Sequence, residues 1–165
     1  MKPNDSPMLL GKKIRIMFVC LGNICRSPAA QGIMESLVAV QSLAVNIEVD
    51  SAGTASYHIG KLPDSRMIDA AAKRQYQLSS RAKALTKELI WKRELLLAMD
   101  RDNFDEIQRI AGGDVPHLRL FSDFLEPSWP RDVPDPYYGG EAGFEYVLDM
   151  VEAACPRILK RCLVI

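Results

Sequence analysis

Ile14-Arg-Ile-Met-Phe-Val19 runs directly into Cys20-Leu-Gly-Asn-Ile-Cys-Arg26, and Ser27-Pro28 follows. The first six residues form a short, β-branched, nearly all-apolar run, the pattern of a strand buried on both faces. Beyond the loop, Ala30, Ile33, Met34, Leu37 and Val38 recur at helical spacing. Ser27 is placed to cap that helix and Pro28 to occupy its first position. A short loop joining such a strand to such a helix can curl its N–H groups inward as a nest for a tetrahedral anion. The positive end of the helix dipole lies at the same place. Cys20 and Arg26 stand at the two ends of this loop. A cysteine so placed is expected to attack as a thiolate, and the guanidinium offers a planar fork that matches two phosphate oxygens. The chemistry suggested is phosphoryl transfer to sulfur.

Working outward, apolar runs alternate with helical patterns. Asn46–Asp50, Leu95–Met99 and His117–Phe121 read as three further strands. Helices are predicted from Pro63-Asp64 to about Tyr76, briefly after Thr86, and after Asp100, where Gly112-Gly113 ends the pattern. Phe144, Val147, Leu148, Val151, Cys155, Ile158, Leu159 and Cys162 trace the stripe of a last helix, which Pro156 is expected to kink or split. This alternation predicts an α/β fold of three layers, α/β/α, with a central four-stranded parallel sheet and helices on both faces. Ligands of such sheets sit beyond the carboxyl ends of the strands, where the Cys20 loop falls.

Composition sets outer bounds. A chain of 165 residues with 48% hydrophobic residues suits one domain with a sizeable core. A formal net charge of zero lacks the basic excess of nucleic-acid binders. No apolar run approaches the roughly 20 residues that cross a membrane, and Met8-Leu9-Leu10 is too short for a secretory signal. A cytoplasmic protein is therefore expected, with residues 1–12 a disordered extension before a domain over 13–165. Cys20 and Cys25 are separated by four residues, and Cys155 and Cys162 by six. These spacings do not fit a zinc knuckle, and a core-rich chain needs no disulfide framework. No metal or cofactor is expected.

Phe18-Val-Cys-Leu-Gly-Asn-Ile-Cys-Arg-Ser-Pro28 resembles the signature of the low-molecular-weight protein tyrosine phosphatases. A second match lies at Asp135-Pro-Tyr-Tyr-Gly139, where that family carries its general acid. Asp50-Ser-Ala-Gly-Thr54, Tyr57, Ile59-Gly60, Pro63-Asp64, Arg66 and Ala98-Met-Asp100 also fit, so the resemblance runs from Ile14 to the C-terminus. It implies a cofactor-independent hydrolase of phosphotyrosine proteins, acting as a monomer or with weak self-association.

The resemblance assigns the roles. Cys20, otherwise a small buried hydrophobe at a strand end, becomes the nucleophile that forms a cysteinyl-phosphate. Arg26 holds the equatorial oxygens, and Ser27 donates to the sulfur and helps it leave. Leu21, Gly22, Asn23, Ile24 and Cys25 complete the phosphate loop. Gly22 keeps bulk away from the phosphate, and Asn23 tolerates a left-handed conformation and braces the loop. Asp135 protonates the leaving phenolate. From the loop Pro130–Pro136 alone, Asp132 and Asp135 read as turn residues; the Asp-Pro-Tyr-Tyr match favours Asp135, with Asp132 the fallback. Tyr57, Tyr137 and Tyr138 wall the pocket, and Ile24, where phosphoarginine phosphatases carry threonine, favours phosphotyrosine. Cys25 is either a redox guard for Cys20 or a buried small side chain. Cys155 and Cys162 read as core, and His58 and His117 receive no catalytic role.

Two positions depart from the family pattern. Gln31 stands where many members have glutamate, and Ser80 where they have histidine. In the family these residues support the loop through Asn23 and Ser51, so the network here keeps hydrogen bonds but loses charge. Competing readings are an arsenate reductase, whose cysteine relay lacks a position within residues 73–100, and a silent phosphotyrosine-binding module. The chain has neither a Gly-x-Gly-x-x-Gly motif nor a Gly-Lys-Ser/Thr phosphate loop for nucleotide binding.

Overall fold

The computed structural model describes residues 13–165. The extension predicted over residues 1–12 lies outside the described residues. Four strands, β1 (Ile14–Cys20), β2 (Ile47–Gly53), β3 (Leu95–Ala98) and β4 (Leu118–Leu120), form one parallel sheet in the order β2-β1-β3-β4. Five helices accompany them: α1 (Arg26–Val40), α2 (Ser65–Lys73), α3 (Lys87–Trp91), α4 (Arg101–Ala111) and α5 (Glu141–Cys162).

Side chains of β1 alternate between two cores, as the two-residue period of a strand requires. Ile14, Ile16, Phe18 and Cys20 join a cluster with Met34 of α1, Met67 of α2 and Phe144, Val147 and Val151 of α5. Met17 and Val19 face the other way, onto Ile90 of α3 and Ile107 and Ala111 of α4. Both faces of β1 are thus covered, which explains its lack of polar alternation. The expected three layers form.

Three helices start on side-chain caps. Asp64, Thr86 and Asp100 accept backbone N–H bonds from Arg66, Leu89 and Asn103 respectively. Gly112, at φ 83°, ends α4 in a left-handed cap. Arg74 ties the end of α2 to α5 through ion pairs with Glu145, Asp149 and Glu152.

Several boundaries differ from the sequence reading. Ser27 does not cap α1: the helix begins two residues before the expected Pro28, at Arg26, and the Ser27 side chain is used elsewhere. β2 continues to Gly53 because its last residues pair with Phe18, Val19 and Cys20. The helix after Asp64 stops at Lys73, and Gln75 turns through φ 69°. Phe121 leaves β4 for a 3-10 turn over Phe121–Phe124. Pro156 does not split α5. It lies on the exposed side of the helix, where water can satisfy the carbonyl that loses its partner.

Candidate active site

β1 connects to β2 on one side of it and has β3 on the other, so the chain diverges between the ends of β1 and β3. That is where open parallel sheets bind ligands. The Cys20–Arg26 loop leaves β1 there, and Asp100 follows β3. The loop is held against the end of β2: Thr54 N–H donates to the Cys20 carbonyl and Ala55 N–H to that of Leu21, both at 2.9 Å. Gly53 permits this approach. A Cβ there would stand 2.7 Å from the Leu21 carbonyl oxygen.

The loop curls around the Cys20 sulfur. Asn23 adopts φ 56°, within the left-handed region asparagine tolerates. Its backbone N–H reaches Cys20 Sγ at 3.2 Å, and Ser27 Oγ lies 3.0 Å from the same sulfur. The Asn23 side chain is buried beneath the loop, where its Oδ1 accepts the Lys83 backbone N–H at 3.0 Å. Its Nδ2 therefore carries the donors, which go to Ser27 Oγ at 2.8 Å and Ser51 Oγ at 2.9 Å. Ser27 accepts from Asn23 and still has its own hydrogen to give to Cys20 as a thiolate, which can only accept. Two donors thus converge on the sulfur and complement a thiolate. No side chain caps the N-terminus of α1, unlike those of α2, α3 and α4. Its first N–H groups are left for an anion.

Arg26 is buried, and its orientation is imposed from behind. Its Nη1 donates to Asp100 Oδ2 at 2.5 Å and to the Val133 carbonyl at 3.0 Å. Asp100 also caps α4 through Oδ1. Asp135 Oδ2 faces Arg26 Nη2 at 3.7 Å, while its Oδ1 accepts the Tyr137 N–H. Asp132 lies elsewhere: Arg101 grips it through N, Nε and Nη2 and holds its carboxyl below the usual range. That pairing keeps Asp132 ionised, a poor state for an acid.

Cys20, Leu21, Gly22, Ile24, Cys25, Arg26, Tyr57, Asp135, Tyr137 and Tyr138 line one cavity of about 270 Å³. Asn23, Ser27 and Ser51 lie behind it. His58, given no role above, also lines it. Its ring approaches those of Tyr57 and Tyr137 at centroid distances of 6.3 and 6.4 Å. The space left by Gly22 belongs to this ring: a Cβ there would lie 3.0 Å from His58 Cδ2. No spacing marks His58; the only signal was its place beside Tyr57.

The support network departs from the family pattern in an instructive way. Ser51 donates to Gln31 Oε1 at 2.6 Å, so glutamine preserves the hydrogen bond. One turn further along α1, partial burial raises the Glu35 carboxyl above its ordinary value, against the opposing effect of the neighbouring Gln31 amide. Cys25 is buried, and its thiol is pushed up to about 12, first by desolvation and then by the Asp64 carboxylate. All four cysteines are free, and among the described residues no three His, Cys, Asp or Glu gather where a metal could bind.

The family model described as low molecular weight phosphotyrosine protein phosphatase matches residues 15–163. The chain belongs to that family. A Synechocystis protein named as a candidate low molecular weight protein-tyrosine-phosphatase is 46% identical over 148 residues, spanning 88% of this chain and 94% of its own length. The protein tyrosine phosphatase of Entamoeba histolytica, solved with Hepes in its active site, is 37% identical with a TM-score of 0.85, covering 90% of this chain and 96% of that one. YfkJ from Bacillus subtilis is 33% identical with a TM-score of 0.86, covering 92% and 95%. Low molecular weight phosphatases are hydrolases of phosphomonoesters, and Cys20, at the strand-end loop, fits their nucleophile.

Proposed function

We propose that this chain hydrolyses phosphotyrosine in proteins through a phosphate ester of Cys20. The observation that carries the proposal is the convergence on one sulfur of the Asn23 N–H and the Ser27 hydroxyl, with Arg26 fixed in the same cavity. The Cys20 thiolate attacks phosphorus while the tyrosyl P–O bond breaks, and Asp135 gives its proton to the departing phenolate. Water then attacks the cysteinyl-phosphate, and Asp135 takes a proton from it. The S–P bond breaks, and the thiolate leaves into the hydrogen bonds of Ser27 and Asn23. Arg26 and the N–H groups of the loop bear the phosphoryl charge in both steps.

Leu21, Ile24, Tyr57, Tyr137 and Tyr138 give the cavity apolar and aromatic walls suited to a phenyl ring. Hepes carries a sulfonate, a tetrahedral anion like phosphate, and its presence in the Entamoeba active site is consistent with the same use of this loop. Every proton in these steps moves through the chain's own residues, so no metal or cofactor is required. The four free cysteines support a reducing compartment, the cytoplasm. We place the protein there as a monomer or weakly associating species.

The test is turnover of a phosphotyrosine peptide in EDTA by wild type, Cys20→Ser and Asp135→Ala. Turnover abolished by the first substitution and sharply reduced by the second is expected. Failure of the reduced wild type on phosphotyrosine, with turnover of phosphoarginine or arsenate instead, would overturn it.

A further inference from the structure

Asn23 orients Ser27 only while both ends of its amide are held. One end is held by Ser51 of β2, the other by the backbone N–H of Lys83. Lys83 belongs to a segment that joins the sheet through a single isolated bridge, Gly53 to Ala84. Gly53 N–H donates to the Lys83 carbonyl at 2.8 Å and Leu85 N–H to the Gly53 carbonyl at 2.7 Å. The same segment meets the turn that follows the cavity residues Tyr57 and His58, where Gly60 N–H donates to the Ala82 carbonyl and Ala82 N–H to that of Lys61.

A side-chain clamp reinforces this short contact. Lys83 Nζ pairs with Asp50 Oδ2, which also accepts Arg93 Nη2 at 3.1 Å. The other oxygen, Asp50 Oδ1, accepts the N–H of Ser51 at 2.8 Å. Asp50 therefore grips both holders of Asn23, Ser51 through its backbone and Lys83 through its ammonium. The Asp50 and Arg93 side chains are 20% and 10% exposed, so water only partly screens their pair. None of these side chains lines the catalytic cavity.

We propose that Asp50, Lys83 and Arg93 are positioning residues, which act on catalysis by fixing Asn23 and, through it, the Ser27 hydroxyl on the Cys20 sulfur. The proposal rests on the phosphatase reading above. The hydroxyl matters most when the thiolate leaves phosphorus, so loosening the clamp slows breakdown of the cysteinyl-phosphate. Phosphate binding and the first step rest on Arg26 and the loop N–H groups, so KM falls with turnover and kcat/KM moves little.

The experiment is rapid-quench hydrolysis of an aryl phosphate by wild type, Lys83→Met, Lys83→Arg and Asp50→Asn. Lys92→Met, in the exposed Glu88–Lys92 pair of α3, is the charge-matched control. For Lys83→Met and Asp50→Asn the expected result is a burst near one equivalent followed by turnover roughly tenfold slower, the scale seen when groups supporting a reactive residue are removed. Lys83→Arg restores turnover, and Lys92→Met leaves it at the wild-type rate. A burst that shrinks in proportion to turnover means fewer folded molecules and only a structural clamp, which overturns the proposal. Unchanged turnover in both variants does the same. Failure of wild type to hydrolyse the aryl phosphate at all contradicts the phosphatase reading itself and is read separately. Asp50→Asn keeps the acceptor for Ser51 and supplies the answer should Lys83→Met fail to fold.

Discussion

Ser27 Oγ lies 3.0 Å from Cys20 Sγ and accepts from the Asn23 amide at 2.8 Å. A Cys20 thiolate has no hydrogen to give, so against it the Ser27 hydroxyl is the donor. Ser27→Ala removes a hydrogen bond to a charged atom, worth about 1.5–3 kcal/mol. Turnover should fall roughly 10- to 100-fold, and KM for an aryl phosphate should not rise. Steady-state kinetics check this; a loss confined to KM would refute the assignment.

Asp135 is 39% exposed at the cavity mouth and sits opposite Arg26. As the proton donor to a phenolate, it should matter most when the leaving group is basic. Asp135→Ala is expected to lower turnover of phosphotyrosine by about 10²–10⁴ and that of dinitrophenyl phosphate far less. Equal losses on both substrates would remove Asp135 from the acid role.

The fold was legible in the sequence because its strands are buried on both faces and its helices carry apolar stripes. The site was legible where one short segment held it, as in Cys20 to Ser27. It was not where the fold joins distant residues. Asp100 and Val133 lie 74 and 107 positions from the Arg26 they orient, and Lys83 is 60 from Asn23. No local pattern registers such pairs. Ser27 misled for a related reason: a hydroxyl before a helix reads as a cap, and only the packed loop shows it turned to sulfur.

Gly53 is a packing requirement of the loop. Its φ is not left-handed, but a Cβ would come within 2.7 Å of the Leu21 carbonyl and 3.1 Å of the Ala55 carbonyl. Both contacts are backbone, so the loop itself must shift. Gly53→Ala should cost about 1–3 kcal/mol of stability and reduce turnover at least tenfold, a displacement effect of the expected scale. Urea titration and kinetics on one preparation check both, and wild-type turnover in the variant would refute the account of the contact.

The buried thiols make an alkaline prediction. Desolvation pushes Cys25 and Cys162 up to about 12 and raises Cys155 as well. An unfolded chain releases these protons near pH 8.5, while the native protein keeps them. The unfolded state then binds fewer protons, and stability falls as pH rises. The slope is about 1.4 kcal/mol per pH unit for each thiol, between roughly pH 9 and 12. Urea unfolding under reducing conditions at pH 8 and 10.5 should show the loss, and Cys155→Ala should lessen its slope. An identical slope in the variant would contradict the burial argument.

The central claim is a covalent phosphate on Cys20. Wild type mixed with excess aryl phosphate, acid-quenched within the first turnovers and mapped by mass spectrometry, reads it directly. The account predicts one phosphoryl group per chain, on the peptide containing Cys20, and none in Cys20→Ala. Phosphate on another residue, or undiminished turnover by Cys20→Ala, would contradict it.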